Sequence, residues 1–80
     1  MDKKIRSNGV ISVKDIMRKY NVTYHAVNHY TDFGLLTPAF KKGTVRFYDE
    51  VQVRHRLNAV RKLASEGYSL RLIRKKLLGV

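Results

Sequence analysis

The chain has 80 residues, and its 17 Lys or Arg against 6 Asp or Glu give a formal net charge of +11 with the three histidines neutral. A domain of this size hides only about 60% of the surface that its unfolded chain exposes, which excludes an elaborate enzyme with a deep, shielded cleft. The absence of cysteine excludes disulfide scaffolds and thiolate zinc fingers, and no uncharged stretch approaches the roughly 20 apolar residues of a membrane span. We therefore expect a cytoplasmic protein.

The positive charge is unevenly distributed along the chain. Residues 1–40 hold 6 basic and 3 acidic residues, while residues 41–80 hold 11 and 3, giving +3 and +8. Such an excess repels itself and is usually maintained for an anionic partner, which can be nucleic acid, an acidic membrane or an acidic protein.

The first half of the chain predicts two short helices joined by a tight turn. Residues 1–9 are expected to form a flexible lead-in, and the domain proper is expected over residues 10–80. Ser12 caps a first helix, because an apolar stripe with helical spacing follows it. Asn21 tolerates the left-handed conformation that ends a helix, and Thr23 caps a second helix that is expected to run to about Asp32. This pair has the sequence form of a helix-turn-helix.

The second half predicts a hairpin and two further helices. Pro38 forbids helical continuation, and the segment 39–48 alternates as a two-stranded wing. Val45 and Phe47 form an apolar face that is expected to anchor the wing, and Arg46 and Tyr48 lie on the polar face. Asp49 is expected to cap a third helix that ends at Gly67, and Ser69 is expected to cap a fourth. The predicted fold class is mainly α, a winged helix-turn-helix with about four helices and a two-stranded wing.

This order of elements resembles the DNA-binding domain of the MerR family of bacterial transcriptional regulators over most of the chain. The residues that carry the resemblance are short motifs near the turns: Val22-Thr23, Tyr30, Gly34-Leu35-Leu36 with Pro38, Arg46-Phe47-Tyr48, Asp49 and Gly67-Tyr68-Ser69. Together these motifs are specific, although each alone is weak.

The chain also departs from the family pattern. Asn28-His29-Tyr30 stands where the family usually has Arg-Tyr-Tyr, so a neutral side chain replaces a cationic contact and the family's target sequence does not carry over. Gly43 comes one residue early, and we expect a differently shaped wing tip. The chain stops at Val80, where family members continue into a long dimerisation helix. It is therefore read either as a fragment of a longer regulator or as a stand-alone protein like the excisionases of mobile elements.

The candidate site residues fall into two groups. The exposed side of the second helix can enter a major groove about 12 Å wide, and Asn28 there can pair bidentately with adenine. The expected base contacts are Thr23, Tyr24, His25, Asn28 and His29. The expected phosphate contacts are Lys14, Arg18, Lys19, Lys41, Lys42 and Arg46, with Tyr48 added from the resemblance.

Other chemistry is poorly supported by the sequence. His25 and His29 have the spacing of a zinc pair, but no cysteine and no obvious third ligand accompanies them, so no metal is predicted. No activated nucleophile, carboxylate pair or phosphate loop is present, so no catalytic residue and no cofactor is predicted. The rival class is a basic module whose last helix, Ser69 to Leu78, binds an acidic protein or a membrane surface.

The sequence therefore predicts a non-enzymatic, nucleoid-associated protein that binds double-stranded DNA in a sequence-specific way. A MerR-like transcriptional regulator is the first interpretation, and an excisionase of a mobile element is the alternative. Further copies of the chain on repeated sites, RNA polymerase or a recombinase are the candidate protein partners, because one small module buries only about 600 to 1,000 Å² on DNA.

Overall fold

The computed structural model describes the backbone of residues 2–80 and the side chains of residues 9–80. This part of the chain forms four helices and three strands. Their bounds are β1 Asp2–Ser12, α1 Val13–Tyr20, α2 Tyr24–Asp32, β2 Pro38–Lys42, β3 Val45–Asp49, α3 Glu50–Ser65 and α4 Leu70–Leu78. The predicted winged helix-turn-helix architecture is confirmed.

The turn between α1 and α2 forms as its residue types predict. The Ser12 hydroxyl accepts from the Asp15 N–H at 3.2 Å, and the Thr23 hydroxyl accepts from the Ala26 N–H at 3.0 Å. Asn21 adopts the left-handed conformation with φ of 56° and donates its N–H to the carbonyl of Met17. These local bonds satisfy helix-end groups that would otherwise lack partners. The bonds of Asn21 and Thr23 fix the reversal of the chain from α1 into α2.

The sheet is larger than the predicted two-stranded wing. Its strand order is β1-β3-β2, and both pairings are antiparallel. The prediction was wrong on this point because β1, which pairs Ile11 with Tyr48, lies far from the hairpin in sequence. A pairing of this kind leaves no local turn signal. A hairpin alone is only marginally stable, and the third strand joins it to the helices.

The face of the wing that packs against the helices is not the predicted one. Tyr48, which was placed on the polar face, is fully buried, whereas Val45 is 44% exposed. Phe47 stacks on Phe40 across the hairpin, with ring centroids 5.0 Å apart, and Phe40 is itself 47% exposed. The face of β3 that carries Tyr48 therefore anchors the wing to the helices, and the stacked phenylalanines lie on its other side.

Two apolar clusters hold the helices together. The first joins β1, α1, α2, β3 and α3, and its buried members are Ile11, Val13, Ile16, Val27, Leu36, Tyr48, Val53 and Leu57. The second joins α3 and α4 through Leu35, Val60 and Ile73. Leu78 packs against this second cluster, while Leu72 is 48% exposed. Tyr68 is also exposed.

The predicted caps of the last two helices are confirmed. Asp49 accepts from the Val51 N–H at 3.1 Å, and Ser69 accepts from the Leu72 N–H at 3.3 Å. The lead-in predicted for residues 1–9 falls almost entirely outside the described side chains, and its flexibility stays a prediction. Among the described residues, no helix has the length and apolar character needed to cross a lipid bilayer.

Candidate nucleic-acid interface

Helix α2 presents most of the predicted base-reading side chains to solvent. Thr23, Tyr24, His25 and His29 are exposed, and Asn28 is half-buried. Val27 is fully buried and fixes the rotation of the helix about its axis. With that residue inward, the predicted row necessarily faces away from the core.

The wing is joined to α2 by two side-chain hydrogen bonds on one face of β3. The Tyr48 hydroxyl lies 2.8 Å from the Thr31 hydroxyl, and the Arg46 guanidinium donates to the side-chain oxygen of Asn28. Arg46 and Tyr48 are two residues apart on the strand, while Asn28 and Thr31 are one turn apart on the helix. The two bonds therefore run side by side, and they hold the wing against the recognition helix.

A groove of about 210 Å³ opens between the wing tip, the start of α1 and the start of α2. Its lining is mostly apolar, with the cations of Lys14 and Arg46 among the polar groups. The lining residues are Val13, Lys14, Met17, Tyr24, Thr44, Val45 and Arg46. The groove thus brings Tyr24, a predicted base contact, onto one surface with the predicted phosphate contacts Lys14 and Arg46.

The wing lysines are exposed on the outer strand. Lys41 lies directly across from Arg46 in the hairpin register, and Lys42 lies across from Val45. Directly opposed residues of an antiparallel pair share a face, so Lys41 projects on the same side as Arg46. Lys14, Lys41 and Lys42 make no ion pair with any side chain of residues 9–80.

The other two predicted cations of α1 have carboxylate neighbours. Arg18 lies 3.6 Å from Asp15, and both side chains are well exposed to solvent. The Lys19 ammonium donates to Glu50 at the start of α3. This hydrogen bond raises the pKa of Lys19 above its ordinary value, outweighing the opposing effect of desolvation. A pair this exposed is weak, so neither contact prevents Arg18 or Lys19 from meeting a phosphate.

Tyr48 does not have the surface position that its predicted phosphate contact requires. It is fully buried, and its hydroxyl is bonded to Thr31. The reason is the choice of strand face, since the face that carries Tyr48 packs on α2. Arg46 and Asn28 were predicted as separate contacts to phosphate and base, and the structure instead brings them together in one hydrogen bond. DNA contact by the remaining predicted residues stays a prediction.

An aromatic row along α2 was only partly visible in the sequence. The rings of His25 and His29 are parallel within 5°, with centroids 6.1 Å apart, and His29 lies 5.0 Å from Phe33. The guanidinium carbon of Arg74 lies 5.0 Å from the Phe33 centroid and extends the row onto α4. The four-residue spacing puts His25, His29 and Phe33 on one side of the helix, but the contact with α4 has no sequence signal. Within the described residues, no group of three or more metal-ligating side chains occurs.

Comparison with known proteins identifies a matching family. The family model described as MerR HTH family regulatory protein matches residues 11–79. No curated protein and no solved structure matches the chain. The matched segment contains α1, α2, the wing and both later helices.

Proposed function

Because the chain belongs to the MerR HTH family of regulatory proteins, we propose that it is a sequence-specific transcriptional regulator that binds double-stranded DNA. In this proposal α2 enters the major groove and the wing lies along the adjacent backbone. The observation that carries the proposal is the pair of hydrogen bonds that fixes the wing beside the exposed face of α2. A rigid combination of this kind can match the spacing between a groove and its flanking phosphates.

Affinity is proposed to come mainly from phosphate neutralisation. Lys14, Lys41 and Lys42 are the first candidates, since they are exposed and make no ion pair within residues 9–80. Arg18 and Lys19 follow, because each must share its charge with a carboxylate of the protein. We leave Tyr48 out of this set because it is buried, and Arg46 because its guanidinium is bonded to Asn28.

Sequence discrimination is proposed to come from Thr23, Tyr24, His25, Asn28 and His29. All five lie at the start or along the outer side of α2. A good side-chain pairing with a base edge is worth about 1 to 3 kcal/mol of discrimination. One such helix gives limited specificity, so we propose that several copies of the chain bind repeated sites together.

The test is duplex binding by the whole 80-residue chain, first by selection from a random duplex library and then by titration at several salt concentrations. The slope of log K against log salt is expected to be about −3 if three lysines meet phosphates, and about −5 if all five cations do. A reproducible selected sequence supports a specific regulator. Binding with the salt slope but without any selected sequence would contradict the base-reading assignment.

Phosphatidylserine vesicles and an acidic polypeptide serve as competitors for the rival class of function. Stronger binding to either of them than to the selected duplex would overturn the proposal in favour of a basic interaction module. An excisionase is the second alternative, and it predicts selected sites clustered at attachment sites of mobile elements instead of promoters. The family match itself supports a regulator.

A further inference from the structure

We propose that Arg46 is a positioning residue for Asn28, and that the Asn28 amide it orients prefers guanine over adenine. This inference rests on the proposed DNA-binding function, and it assigns to Arg46 a role other than phosphate contact. Its origin is the hydrogen bond from the Arg46 guanidinium to the side-chain oxygen of Asn28.

The chemistry of the two groups fixes the orientation of the amide. A guanidinium has five N–H donors and no acceptor, whereas an asparagine amide has an oxygen on one side and an NH₂ on the other. Only the oxygen can face Arg46, because a flipped amide would set N–H donors against N–H donors. The NH₂ of Asn28 therefore points away from the guanidinium.

Arg46 is itself held in place by the wing. Its guanidinium carbon lies 5.8 Å from the centroid of the Tyr48 ring, and Tyr48 is fully buried and bonded to Thr31 on α2. Arg46 is also only partly exposed, unlike Lys41 directly across the hairpin. The guanidinium is therefore committed to a contact inside the protein, whereas the Lys41 ammonium makes no ion pair with the side chains of residues 9–80.

The fixed amide changes which base suits Asn28. Bidentate pairing with adenine needs one amide acceptor and one amide donor, for the N6 amino group and for N7. With its oxygen engaged by Arg46, Asn28 offers chiefly the two hydrogens of its NH₂. Guanine displays two adjacent acceptors, N7 and O6, in the major groove, so it matches a group that only donates.

The experiment compares base preference and salt dependence for the wild-type chain and for Arg46→Met, with Lys41→Met as the matched control. Both substitutions remove one cation from opposed positions of the same hairpin, but only Arg46 contacts Asn28. Duplex selection is run with the wild type and with Asn28→Ala. The base position whose preference disappears in Asn28→Ala is the one that Asn28 reads. Titrations then measure affinity for guanine and adenine at that position.

The wild type is expected to prefer guanine there by about 5- to 150-fold. Arg46→Met should reduce or reverse this preference while leaving the salt slope unchanged. Arg46→Lys, which restores a cationic donor, should recover part of it. Lys41→Met should instead keep the preference and lower the magnitude of the salt slope by about 0.9.

The inference is overturned if the wild type prefers adenine at that position. It is also overturned if Arg46→Met keeps the guanine preference and lowers the salt slope as Lys41→Met does, because Arg46 is then a phosphate contact. If Arg46→Met does not fold, as judged by circular dichroism, Arg46→Lys is compared with the wild type. A weaker guanine preference then supports the inference, and an unchanged preference overturns it. A wild-type chain that binds no duplex refutes the proposed function itself, which is a distinguishable result.

Discussion

Removing either partner of the hydrogen bond between Tyr48 and Thr31 should destabilise the protein, but by different amounts. The Thr31 hydroxyl also lies 2.8 Å from the carbonyl of Val27, to which it donates its one hydrogen. Tyr48 must therefore be the donor in the bond to Thr31. Since Tyr48 is fully buried, its O–H has no access to solvent once Thr31 is removed.

The magnitudes follow from this geometry. Tyr48→Phe removes one hydrogen bond but leaves the Thr31 donor satisfied, and we expect a loss of about 0.5–1.5 kcal/mol of unfolding free energy. Thr31→Val keeps the shape and leaves a buried donor unpaired, which costs about 1–3 kcal/mol. In a domain of this length each kcal/mol lowers Tm by about 4–8 °C. The double variant should cost less than the sum of the two single changes.

Urea and thermal unfolding followed by circular dichroism measure all three variants against the wild type. Tyr24→Phe is the control, because that side chain is 57% exposed and its stability should change by less than about 0.5 kcal/mol. The reasoning is refuted if Thr31→Val costs no more than Tyr48→Phe, or if the two changes are simply additive. Either result would mean that the Tyr48 hydroxyl does not depend on Thr31.

Three further predictions concern the turn and the cations. Asn21 has φ of 56°, so Asn21→Ala should cost about 1 kcal/mol of stability in urea unfolding, while Asn21→Gly should cost little. Equal losses would contradict the left-handed turn. Lys41→Ala with Lys42→Ala should reduce the magnitude of the salt slope for duplex DNA by about 2, and arginine at both positions should preserve it. Glu50→Gln removes the carboxylate that shares the Lys19 ammonium, so duplex affinity should rise. An unchanged affinity would contradict a phosphate contact by Lys19.

The candidate site was predictable where helical periodicity alone decides exposure. Thr23 and Tyr24 begin α2, and Val27 takes the core position, so the outward row of that helix follows from spacing. The contact between Asn28 and Arg46 was not predictable, because 18 positions separate the two residues and neither has a local signal for the other. Placing them together requires the packed wing.

The sequence by itself determined the boundaries of the helices. Ser12, Thr23, Asp49 and Ser69 each cap a helix through a bond to a residue two or three positions ahead, and such bonds form from local geometry alone. Only the tertiary structure decided the third strand and the face of the wing that meets α2. Alternation along β3 separates two faces, but both carry aromatic side chains, Phe47 on one and Tyr48 on the other. Residues distant in sequence decide which face packs inward, since β1 and Thr31 give Tyr48 a buried site with a hydrogen bond. The residue pattern of β3 alone contains no information about these partners.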